Sequence, residues 1–169
     1  MSNFLRVVLF GLVVIGAYAA FAAVFTPSIK PEPPPAEETV SVAAAMTQEE
    51  FARFGERLYH GKGQCALCHN AAGGRAPSLD AVAINAARRI ISPDYKGGAK
   101  DAAAYLYESM TAPSAYVVPG YGAAGTSPMP GVRKEPIGLN ETEMRGVIAF
   151  LQSRAGVTVT AAPPKAGEQ

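Results

Sequence analysis

Five consecutive residues, Cys65-Ala66-Leu67-Cys68-His69, constrain this chain more than any other stretch. A CxxCH string is the pattern of covalent haem attachment: two thiols add across the haem vinyl groups, and the adjacent histidine binds the iron. The stretch also holds both cysteines of the chain, so other uses of the motif can be weighed. A structural zinc site built on cysteine pairs needs a second pair. A mixed Cys2His2 site could draw only on His60, at a spacing unlike that of zinc fingers. A redox pair of the thioredoxin kind sits at the end of a strand in a βαβ unit, whereas the flanks here read as a helix and a glycine-rich loop. Haem attachment is the preferred reading, and zinc or thiol redox chemistry stays open behind it.

With 169 residues, 49% of them hydrophobic, the chain suits one compact domain plus appendages. A formal charge of +1 gives no electrostatic case for nucleic acid or acidic substrates. There is no nucleotide-binding loop, no nucleophile elbow, and only two histidines that could act as bases.

Near the N-terminus, Val7 to Phe25 is a run of 19 residues without a charge. As a helix it extends about 28 Å, close to the hydrocarbon thickness of a bilayer. A cleavable signal has a shorter apolar core and a small-x-small end, which Ala20-Phe21-Ala22 could supply. Length favours a retained single-span anchor over residues 1–26. Arg6 precedes the span, while Glu32, Glu37 and Glu38 outnumber Lys30 after it. That bias places the N-terminus in the cytoplasm and the body on the outer, periplasmic side of the inner membrane. Residues 27–46 carry Pro27, Pro31, Pro33, Pro34, Pro35 and the three glutamates Glu32, Glu37 and Glu38. Proline removes amide donors and stiffens the backbone, so this segment reads as a linker. Residues 155–169, with Pro163, Pro164 and Gly167, read as a flexible tail.

The folded body is then 47–154. Thr47 and Glu50 form a capping box ahead of the apolar stripe Phe51, Phe54, Leu58, and Gly61 and Gly63 end that helix. A second helix is expected over Leu79–Ile91 and a third from about Ala99 to Met110, each stopped by a proline. Asn140 and Glu143 open a last helix bearing Met144, Val147, Ile148 and Leu151 at helical spacing. No alternating strand pattern appears, and the expected fold class is all-α.

The body resembles a class I c-type cytochrome, a small helical domain around one covalent haem. Besides CxxCH, Gly55 and Tyr59 resemble the family's glycine-and-aromatic pair. Phe150-Leu151 resembles the aromatic-aliphatic pair on the last helix that crosses that glycine. Ala76-Pro77-Ser78-Leu79 resembles the proline loop. The resemblance implies haem c bound through Cys65 and Cys68, His69 on the iron, and the Pro77 carbonyl accepting the His69 Nδ1 proton. It also implies Met129 as sixth ligand, in Ser127-Pro128-Met129-Pro130-Gly131. Flanking prolines exclude a helix there and hold the thioether in an extended loop. Met110 and Met144 lie at helical packing positions and read as core. His60, the competing axial ligand, lies only five residues before Cys65; a solvent-facing or propionate-adjacent place suits it better. Tyr116 and Tyr121 are candidates for the haem edge. Arg88, Arg89 and Arg133 are candidates for neutralising the propionates.

If both axial positions are filled, the iron has no open site for a substrate, and one-electron exchange remains. The expected function is that of a membrane-tethered mono-haem carrier, not an enzyme, in a respiratory or photosynthetic-type chain. Its partners would be redox proteins or a respiratory complex, with no nucleic acid and no small-molecule substrate. The alternatives are a haem enzyme or gas sensor with a labile sixth ligand, or a fixed electron-transfer subunit of a larger membrane oxidoreductase.

Overall fold

The computed structural model describes residues 2–25, 46–70, 74–123 and 125–164, and the chain divides into two units, Met1–Ser41 and Val42–Gln169. The first unit contains one described helix, α1 (Asn3–Phe25). From Val7 onward it is apolar on every side, and none of its 23 residues is buried. At about 1.5 Å per residue its length is roughly 35 Å. It is the one helix among the described residues long and apolar enough to cross a membrane. The linker expected over 27–46 lies, Met46 apart, outside the described residues.

In the second unit the regular elements are all helices, with no strand among the described residues beyond an isolated bridge between Ala123 and Thr126. Its elements are α2 (Gln48–His60), the single turn α3 (Cys65–Cys68), α4 (Val82–Ile90), α5 (Ala102–Thr111) and α6 (Glu141–Arg154). Both capping boxes form. The Thr47 side chain accepts the Glu50 N–H, and Asn140 does the same for Glu143, while each glutamate reaches back to the cap amide. Two starts differ from expectation. α4 begins at Val82, because Ser78 and Asp80 close a local turn in which Ser78 Oγ accepts the Asp80 N–H. α5 begins at Ala102, because Asp101 caps it by accepting the Ala104 N–H at 2.8 Å. The residues just before that cap are committed elsewhere: the Gly98 N–H goes to Glu108 and the Ala99 N–H to Tyr95 Oη.

The core lies between α2 and α6. Phe51, Phe54, Leu58 and Tyr59 from one helix bury against Met144, Val147, Ile148 and Leu151 from the other. The close approach rests on two glycines. A Cβ on Gly55 would overlap the Gly146 carbonyl oxygen and come within 2.8 Å of Val147 N; one on Gly146 would lie 3.0 Å from Phe54 Cδ1. The expected crossing by Phe150-Leu151 is therefore corrected: Gly146 meets Gly55, and Phe150 packs its ring on Tyr59 one turn further on.

The flexible tail expected over 155–169 is also corrected for its described part. Gln152, a buried polar residue on α6, accepts the Thr160 and Ala161 N–H groups and donates to Thr160 Oγ1. Gln48 donates to the Ala161 carbonyl and Arg145 to that of Ala162. Residues 157–164 thus form a strap along α6, held by satisfied polar groups and not by a continued helix.

Candidate functional site

The site starts where α2 stops. Gly61 and Gly63 return their N–H groups to Arg57 and Leu58, and a Cβ on Gly63 would sit 2.8 Å from the Leu58 carbonyl oxygen. Gln64 then takes the left-handed conformation, with φ at 52°, and turns the chain into α3. A residue with a side chain is strained there by roughly 1–2 kcal/mol. The turn puts Cys65 and Cys68 on one face, three residues apart, with the His69 N–H bonded to the Cys65 carbonyl at 2.9 Å.

His69 is held at two points. Its Nδ1 lies 2.8 Å from the Pro77 carbonyl oxygen. A carbonyl can only accept, so Nδ1 carries the proton and Nε2 keeps the lone pair that a metal requires. Its own carbonyl accepts the Tyr59 hydroxyl at 2.7 Å. Burial raises the Tyr59 phenol above its ordinary range, so it stays a donor at physiological pH. The Cys65 thiol is pushed up to about 11, again mainly by desolvation. That is the opposite of the lowered value that marks a redox-active thiolate. Among the described residues no group of three or more His, Cys, Asp or Glu side chains is arranged to hold a metal ion.

A cavity of about 270 Å³ opens beside this turn. Cys65, Cys68, His69, Pro77, Tyr116, Tyr121 and Met129 all line it. Most of the remaining wall is apolar, from Leu79, Val82, Leu106, Val118, Val132 and Leu151. Its fixed charges are Arg75 and Arg89, both cationic.

Two expected residues do not reach the cavity, and both have identifiable reasons. α4 buries Val82 and Ala86, and one more turn along that stripe falls on Arg89, leaving Arg88 in solvent. Arg89 instead turns inward, its guanidinium 5.9 Å from the centre of the Tyr105 ring and its Nη1 3.4 Å from Tyr105 Oη. Arg133 is taken up elsewhere: it donates to Tyr107 Oη at 3.0 Å, and that hydroxyl donates to Glu141 at 2.8 Å. His60 is exposed and stacks edge-on against Tyr59, away from the cavity wall. Of the two other methionines considered, Met144 is buried and absent from the wall, whereas Met110 is part of it.

Sequence reasoning missed Arg75, the Tyr59 hydroxyl and the aromatic cluster through which Tyr105 and Tyr116 form part of the wall. In that cluster Tyr95, Tyr105 and Tyr116 lie with ring centres 5.6–6.2 Å apart. The tyrosines were visible one by one, but their meeting depends on how the loops after α4 and α5 fold back.

The residues fit a covalently held haem: two thiols on one turn, an imidazole with its free nitrogen defined, a mostly apolar wall and cationic groups for acidic substituents. An all-helical unit closed around such a cavity has the make-up of a haem-binding electron carrier. Residues 52–155 match the family described as Cytochrome c, and the chain belongs to that family. Membership implies haem-based electron transfer. No curated protein matches the chain.

Proposed function

We propose that this protein is a membrane-tethered, mono-haem, class I c-type cytochrome that passes single electrons between redox partners of a respiratory or photosynthetic-type chain. The observation that carries the reading is the convergence of Cys65, Cys68, His69 and Met129 on one cavity, with the imidazole oriented by Pro77 at 2.8 Å. Bound haem supplies a one-electron ferric–ferrous couple. Cys65 and Cys68 would hold it as thioethers, and one CxxCH means one haem. His69 Nε2 and the Met129 sulfur would hold the iron, leaving it no free position for a substrate. The Pro77 carbonyl keeps the imidazole in one tautomer and one orientation, and Tyr59 fixes the backbone that carries it. The apolar wall excludes water, and Arg75 and Arg89 offer cationic partners for the propionates. Tyr116 and Tyr121 would border the macrocycle. α1 would anchor the domain in the inner membrane, with the haem unit on the periplasmic side.

The test is a mass and a spectrum of the purified full chain. A mass raised by one haem, a low-spin spectrum with a sulfur-to-iron charge-transfer band, and no carbon monoxide binding to the ferrous form are expected. Replacing Cys65 and Cys68 with serine should remove the added mass entirely. Ready carbon monoxide binding would turn the assignment toward a gas sensor or haem enzyme. Co-migration with a larger complex in mild detergent would make the chain a fixed subunit and not a shuttle.

A further inference from the structure

We infer that Ser127, backed by Ser114, is the positioning residue that keeps the Met129 sulfur on the iron; this rests on Met129 being the axial ligand. Residues 127–131 read Ser-Pro-Met-Pro-Gly, so two of the five have no N–H. The donors left to this segment are Ser127, Met129 and Gly131. Two of these three are taken by serine hydroxyls and not by main chain. The Met129 N–H donates to Ser127 Oγ at 3.2 Å, and the Ser127 N–H donates to Ser114 Oγ at 3.1 Å. The hydroxyls therefore act in series, from the loop after α5 through Ser127 to the amide of Met129. Both Ser127 and Met129 line the cavity.

The two ends of the segment are held differently. On its C-terminal side the Val132 N–H bonds the Met110 carbonyl at the end of α5, the Leu139 N–H bonds the Val132 carbonyl, and both side chains are buried. On its N-terminal side Ser114 is exposed and Ser127 half-buried. The methionine thus rides on a segment fixed behind it by main-chain bonds and buried side chains, and in front the amides of Ser127 and Met129 are both taken by serine hydroxyls. Removing the Ser127 hydroxyl leaves the Met129 amide without its acceptor while the buried anchor at Val132 stays intact. The loop can then swing its sulfur off the iron more readily.

The experiment titrates imidazole against the ferric haem-loaded full chain and follows loss of the sulfur-to-iron charge-transfer band. Ser127→Ala should bind imidazole about fivefold more tightly than the parent, the factor that one net hydrogen bond of about 1 kcal/mol represents. Ser114→Ala should shift it in the same direction by less. The double variant should fall short of the combined single effects, because the two hydroxyls share one chain of bonds. Ser127→Thr, which keeps the hydroxyl, should restore the parent value. If Ser127→Ala titrates like the parent while Met129→Ala abolishes the band, the positioning role is wrong and the ligand assignment stands. If Met129→Ala keeps the band, the ligand assignment fails and this inference falls with it.

Discussion

The two walls of the cavity are made in different ways. The His69 side comes from one nearly continuous stretch, in which Tyr59, Cys65, Cys68, His69 and Pro77 lie within 19 residues of one another. Two short hydrogen bonds, 2.7 Å from Tyr59 and 2.8 Å to Pro77, leave the histidine little freedom. The Met129 side hangs between α5 and α6, 60 residues beyond His69, and its N-terminal half is held by hydroxyls. A local code can define a rigid ligand, because each contact closes a short loop at small entropic cost. A ligand delivered from afar depends on the packing of the elements that carry it. The contrast predicts that damage to the first side costs fold, whereas damage to the second costs ligation and potential.

The largest effect expected is from Gly55→Ala. The added methyl would occupy the position of the Gly146 carbonyl oxygen, a backbone atom that cannot rotate aside. The α2–α6 crossing would have to open, costing about 3 kcal/mol, at the upper end of ordinary overpacking. Urea unfolding of the haem-loaded protein measures this. A loss below about 1 kcal/mol would mean that the crossing is softer than the geometry requires.

Met129→Ala should do the reverse, leaving haem attached and the unit folded while the reduction potential drops. Loss of the sulfur ligand removes a factor favouring the ferrous state, within the roughly 0.8 V over which axial ligands tune haem. Met110→Ala is the control, because Met110 also lines the cavity but sits on α5 as a core residue. It should lower stability and keep the charge-transfer band. Redox titration of both variants decides which methionine is bound, and an unchanged potential in Met129→Ala would remove it from the iron.

On the His69 side the finer test is Tyr59→Phe. The ring keeps its packing on Phe150, with ring centres 5.3 Å apart, but the His69 carbonyl loses its donor. A loss of about 1 kcal/mol is expected, with the covalent haem retained. Similar stability of the two proteins would show that water takes over the carbonyl, and that the histidine is held from Pro77 alone.

What could be read in advance follows the same division. CxxCH, the Thr47–Glu50 and Asn140–Glu143 boxes and the apolar stripes of α2 and α6 are patterns within a few residues, and their geometry is a property of the local chain. Gly146 was visible as a glycine inside a helix, where it costs about 1 kcal/mol relative to alanine. Its partner was not visible, because the register between α2 and α6 is tertiary. Gln152 continues the row Met144–Ile148 at four-residue spacing, a polar residue on an apolar stripe. Its partner is the strap at Thr160 and Ala161, which from sequence reads as part of a flexible tail. For Arg88 and Arg89 the phase of α4 decides, and its buried stripe of one valine and two alanines is a faint guide. Arg133 could not be placed from sequence, since Tyr107 and Glu141 meet it from two different helices.

The smallest effect expected concerns the start of α2, the helix that carries both Gly55 and Tyr59. The Glu50 carboxylate accepts the Thr47 N–H at 2.8 Å and the Thr47 hydroxyl at 2.9 Å. The backbone bond, followed by the hydroxyl, holds its pKa below the ordinary 4.5. A carboxyl lowered on folding adds stability that is fully present above its unfolded value and is lost as pH falls through the lower, folded one. Acid should therefore loosen α2 at its first turn, and Glu50→Gln should remove that one contribution while keeping an acceptor for the Thr47 amide. The measurement is the difference in urea midpoint between neutral and acidic pH for the two proteins. The variant should lose less on acidification than the parent. Equal losses would mean that the exposed box is solvated in both forms, and that the rigidity of the His69 side owes nothing to the helix start beneath it.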